Sequence, residues 1–118
     1  MNLQYTYWYF QGVLPEKFCN QVIDLGLSKN EQRAMIGDEV KALKQNKKIS
    51  TKDRKKWKEI RNSDISWLDE KWIYRTIDPF VQDANKSAGW NFQYDFVEST
   101  QFTKYKLNQY YDWHQDSY

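Results

Sequence analysis

The apolar stripe Ile73, Ile77, Phe80, Val81, Ala84 and Ala88 constrains this chain more than any other feature. Its members recur at intervals that put them on one face of a helix and scatter them over both faces of a strand. A long amphipathic helix is therefore expected here. Asp69 is placed to cap its start, and Gly89 to stop it. Pro79 interrupts the pattern. It either kinks this helix or opens a second one with Asp78 as N-cap.

Around that helix the pattern alternates between strand and helix signals. LQYTYWYF, residues 3–10, is aromatic and β-branched in character and predicts a strand. GVLP then turns the chain, and Pro15 opens a helix on which Phe18, Val22, Ile23 and Leu27 share a face. Gly26 and Ser28 weaken its end. QRAMI, within residues 30–37, suggests a short strand, and IRNSDISWL, residues 60–68, a further one. WNFQYDFVE, residues 90–98, sets Trp90, Phe92, Tyr94 and Phe96 on one face of a strand. STQFTKYKL follows as another, Asn108 and Gln109 make a turn, and YYDWHQD reads as the last strand. The expected class is α+β, in a single domain over residues 1–118.

Several function classes fall away on composition. No apolar run approaches the roughly 20 residues of a membrane span, and MNLQYTYWYF lacks the regions of a secretory signal. A soluble, cytoplasmic protein with no membrane partner is expected. One cysteine, Cys19, rules out an internal disulfide, and one Cys with one His cannot build a zinc finger. Cys19 reads as a small core residue; a nucleophile would need a base, and the histidine is distant in sequence. The segment from about 37 to 59 is a basic, mobile insertion in part helical. From Lys41 to Lys58 it carries a dense run of lysines with Arg54, opposed only by Asp53. Two readings stand: a solvated surface, or a site that holds single-stranded nucleic acid by charge and by stacking on Trp57.

The histidine is His114, two residues before Asp116. On a strand both side chains project from one face, with Tyr110 and Asp112, while Tyr111, Trp113 and Gln115 face the other way. An imidazole nitrogen and a carboxylate oxygen so placed can reach one metal ion, as in non-haem Fe(II) sites. With 16 acidic residues in 118, the bare spacing is a weak signal. The alternative is a surface histidine beside an acid.

The surrounding residues add to it. FTKYKLNQYYDWHQDSY resembles the metal-binding segment of prolyl 4-hydroxylase-type Fe(II)/2-oxoglutarate-dependent oxygenases of bacteria and phages. There a Tyr-bearing strand and a turn lead to Tyr-x-x-His-x-Asp, matched here by Tyr105, Asn108-Gln109, Tyr111, His114 and Asp116. YFQGVLPEKFCNQVIDLG and IRNSDISWL with the helix after it resemble the family's upstream elements. The resemblance implies the N-terminal part of a double-stranded β-helix (jelly roll) with supporting helices. It implies Fe(II) as cofactor, held by His114 and Asp116, and 2-oxoglutarate as cosubstrate, contacted by Tyr105 or, if Tyr105 is a packing residue, by none of these. It implies hydroxylation of a prolyl or other peptide residue, with release of succinate. Tyr111 and Trp113 would be core or pocket wall, and Asp112 either supports the site or is a solvated carboxylate.

Two departures qualify that match. Asn108 stands where the family's turn has Gly, which Asn tolerates because it visits the left-handed region. The family's second histidine, and the Arg or Lys that pairs with the far carboxylate of 2-oxoglutarate, follow the His-x-Asp motif and have no counterpart here. Three accounts are open: a fragment, one half of a split enzyme, or a non-catalytic binding or interaction module, including nucleic-acid binding through Lys41–Lys58. The expectation is a fragment that is inactive alone and self-associates through its uncovered C-terminal strands.

Overall fold

The computed structural model describes residues 3–116. The protein is mixed α+β, and its described residues hold four helices and small sheets. They divide into two compact units, Met1–Ser28 with Trp67–Thr100, and Lys29–Ser66 with Gln101–Tyr118.

The first unit is built on two helices, α1 (Glu16–Ser28) and α4 (Lys71–Ser87). Pro15 stands just ahead of α1, where its missing N–H costs nothing, and its carbonyl accepts from the Cys19 N–H at 3.1 Å. Phe18 meets Trp72 edge to face at 5.7 Å, fixing α1 against α4. Leu68, Ile73 and Ala88 are buried with Phe18. Pro79 lies inside α4, which continues through it as one helix. Asp69 does not cap α4. Glu70 takes the N-cap position, and the Asp69 carboxylate accepts from the Ser99 hydroxyl. Gly89 does stop it, at φ +71°. The Gly89 N–H donates to Lys86 O at 3.0 Å and the Trp90 N–H to Asn85 O at 3.0 Å, a Schellman closure that satisfies two terminal carbonyls.

Two expected strands are absent from this unit. Residues 3–10 form no strand, and neither do residues 90–98. Their backbone groups bond to side chains instead of a ladder. The Asn85 amide clasps Phe92 from both sides, Nδ2 donating to its carbonyl and Oδ1 accepting from its N–H, each at 2.9 Å. The Tyr74 hydroxyl accepts from the Thr100 N–H at 2.9 Å and lies 3.1 and 3.2 Å from the Leu68 and Glu98 carbonyls. Trp90 Nε1 donates to Tyr5 O at 2.7 Å. Aromatic alternation was a true property of residues 90–98. The partner strand that would have used it is replaced by polar side chains of α4.

The second unit contains β1 (Gln32–Arg33), α2 (Gly37–Lys44), α3 (Thr51–Ile60) and β2 (Arg61–Asn62). The basic stretch thus folds as two helices. Ser50 caps α3 by accepting from the Asp53 N–H at 3.1 Å and donating to its carboxylate at 2.9 Å. Trp57 turns inward from α3 and is buried, as are Ala34, Ile36 and Ile65. Cys19, in the first unit, is only half-buried rather than a core residue.

Among the described residues, five short strands complete the fold. β3 (Asp64–Leu68) stands between β1 and β4 (Thr100–Lys104), and β2 pairs with β5 (Tyr110–Tyr111). The β1–β3 pair is antiparallel, with Arg33 opposite Asp64. The β2–β5 pair is antiparallel, with Arg61 opposite Tyr111 and Asn62 opposite Tyr110. No helix among the described residues is long and apolar enough to cross a membrane.

Candidate metal site

The candidate residues all lie in the second unit, on the chain that follows β4. The expected turn is present. Asn108 adopts φ +65°, and the Gln109 N–H donates to Lys106 O at 2.9 Å. The Gln109 side chain tightens it, Oε1 accepting from the Lys106 N–H at 2.7 Å and Nε2 donating to the Asp64 carboxylate at 3.3 Å. This delivers Tyr110 and Tyr111 to β2. One further bond, from the Asp112 N–H to Ile60 O at 2.9 Å, extends the pairing past Tyr111.

There the strand ends, earlier than the sequence suggested. Trp113 lies in a bend and is fully exposed. The strict two-residue alternation fails with it. Tyr111 and His114, assigned to opposite faces, stack with ring centroids 3.6 Å apart and planes at 9°.

The bend nevertheless brings His114 and Asp116 together. His114 Nδ1 donates to the Asp112 carbonyl at 2.7 Å. A carbonyl can only accept, so Nδ1 carries the proton and Nε2 of the neutral ring keeps its lone pair. Nε2 lies 3.5 Å from Asp116 Oδ1, whose side chain is almost wholly in solvent. Two donors each about 2.1 Å from a common ion stand roughly 3–3.5 Å apart, so the pair has a fitting separation. An imidazole whose other nitrogen is tied to a backbone carbonyl is the usual form of a metal-bound histidine.

The remaining candidates divide. Asp112 supports His114 through its main chain. Its carboxylate instead accepts from the Trp113 N–H at 2.8 Å. A shallow hollow is lined by Tyr110, Tyr111, Asp112, Trp113 and His114, and Tyr105 is not among its walls. Tyr105 follows β4 and is half exposed. Among the described residues no group of three or more His, Cys, Asp or Glu stands ready to hold a metal ion. Arg61 was not singled out by its sequence, yet its guanidinium lies over the Tyr111 ring, 4.4 Å from the centroid. Only the β2–β5 register reveals that contact.

Other features fall outside this site. Lys41, Lys47, Lys48 and Lys56 face one polar hollow with Asp38 and Asp53. Trp57, 9% exposed, also lines it. In the first unit the Tyr94 phenol is pushed above its ordinary value, first by desolvation and then by Asp78, to which it donates at 3.2 Å.

No family profile, curated protein or solved structure matches the chain.

Proposed function

We propose that the protein carries part of a prolyl 4-hydroxylase-type Fe(II)/2-oxoglutarate-dependent oxygenase, with a double-stranded β-helix as its wider architecture and His114 and Asp116 as two iron ligands. The observation that supports this most is the pairing of a tautomer-fixed His114 with Asp116 at 3.5 Å. Bound Fe(II) with 2-oxoglutarate and O2 would supply hydroxylation of an unactivated C–H bond, in a prolyl or other peptide residue.

Each residue has a definite part. The Asp112 carbonyl holds the proton at Nδ1, which leaves Nε2 as the donor atom. Asp116 adds a hard oxygen donor and a negative charge. By the resemblance Tyr105 would donate to a 2-oxoglutarate carboxylate; its phenol is half exposed but does not line the hollow beside His114. His114 is the only histidine in the sequence, so a further ligand is needed from chain outside these 118 residues or from a partner. Two ligands hold Fe(II) weakly, and the purified chain is expected to release no succinate.

Anaerobic titration with Fe(II), with and without 2-oxoglutarate, tests the reading. Because 2-oxoglutarate chelates the same ion, its presence is expected to tighten apparent Fe(II) binding at least several-fold. Fe(II) binding indifferent to 2-oxoglutarate contradicts the oxygenase assignment. Succinate release by the chain alone contradicts the need for a further ligand.

A further inference from the structure

We infer that Arg61 and Tyr111 are positioning residues that fix the plane of the His114 imidazole for metal ligation. The inference rests on the reading of His114 as a ligand, and adds residues that the His-x-Asp motif does not contain.

The argument begins with register. Arg61 and Tyr111 are directly opposite in the antiparallel β2–β5 pair, so their side chains share a face. The Arg61 guanidinium carbon sits 4.4 Å from the Tyr111 centroid, a cation–π contact. That guanidinium is tethered in turn, Nη2 donating to Gln101 Oε1 at 2.8 Å. His114 stacks on Tyr111 at 3.6 Å and 9°. One face of a phenol ring cannot accept both groups at these distances. The order is therefore Arg61, Tyr111, His114, with Tyr111 between.

This sandwich and the Asp112 hydrogen bond act on different motions. The stack sets the plane of the imidazole. The Nδ1–H bond to Asp112 O, at 2.7 Å, sets its rotation within that plane. Together they aim Nε2 at Asp116. The Asp112 main chain is itself held by Ile60. Without the stack, a ring on an exposed bend is free to leave the ligating rotamer, and metal binding must then restore that order. Outer supports of this kind typically contribute about 10- to 100-fold to metal affinity.

The test uses Co(II) titration of the whole chain, with the His114 ring-proton shifts read in the metal-free protein. Tyr111→Phe keeps the ring and is expected to keep the unaltered protein's affinity within about two-fold, with His114 protons still shifted by the neighbouring ring current. Tyr111→Leu removes the ring. It is expected to weaken Co(II) binding about 10-fold and return those protons toward their free-histidine positions. Arg61→Met, which keeps the stem of the side chain, is expected to weaken binding in the same direction by less. It serves as the second variant if Tyr111→Leu does not fold. If the unaltered protein does not bind Co(II), the ligand reading fails and this inference with it. If it binds and both Tyr111→Leu and Arg61→Met bind equally well, the ligand reading stands and the positioning role is overturned.

Discussion

Asp116→Ala is expected to abolish saturable Fe(II) binding, and His114→Ala to do the same. The site has two protein donors within 3.5 Å and no third candidate of the His, Cys, Asp or Glu type close by among the described residues. Removing either leaves a single ligand, which cannot chelate. The effect should exceed that of any supporting residue, so it separates ligands from their supports. Stability should hardly change in Asp116→Ala. Both residues lie beyond the last strand, and the Asp116 carboxylate is exposed, where substitutions usually cost within about 0.5 kcal/mol. Equilibrium dialysis against anaerobic Fe(II), with a urea melt of each variant as control, measures both quantities. Asp116→Asn is an informative intermediate. It keeps an oxygen and the shape but loses the charge, and binding should fall by about 10-fold or more.

The second large effect concerns the fold. Ile73→Ala is expected to destabilise the first unit by about 2–5 kcal/mol. Ile73 is 1% exposed and sits near the start of α4, next in the chain to Trp72, which meets Phe18. Truncation leaves a cavity as well as lost burial. Val81→Ala is the comparison. It belongs to the same sequence stripe but is 47% exposed. Its loss should cost less than about 1 kcal/mol, partly offset by the better helix propensity of Ala. Urea denaturation followed by tryptophan fluorescence gives both values. Equal losses at the two positions would contradict the burial assigned to α4.

That comparison shows what sequence periodicity carries and what it does not. The stripe identified α4 and Gly89 its end, because helical spacing and a left-handed stop are local properties of the chain. It could not separate Ile73 from Val81, since that depends on what packs above each. Asn108 was legible for the same local reason, as a residue suited to φ > 0. The expected strands over residues 3–10 and 90–98 failed because alternation describes side chains and is silent on backbone partners. Asn85, Tyr74 and Trp90 supply those partners from 7 to 85 residues away.

The candidate site divides along the same line. The His-x-Asp spacing was legible, as was the proximity of its two donors. The strand geometry offered for it was not, because β5 stops at Tyr111 and the chain bends at Trp113. The bend puts Tyr111 against His114, which an unbroken strand forbids. Arg61 had no signal in the sequence at all. Its role follows from a register between residues far apart in the chain.

The most direct measurement is paramagnetic broadening by Mn(II) in an NMR spectrum of the whole chain, added in small substoichiometric steps. If His114 and Asp116 are ligands, the His114 ring protons and the resonances of residues 112–116 broaden first, and Asp116→Ala removes that preference. If His114 stays sharp while signals near other acids such as Asp38 and Asp53 broaden, the metal site is not at His114.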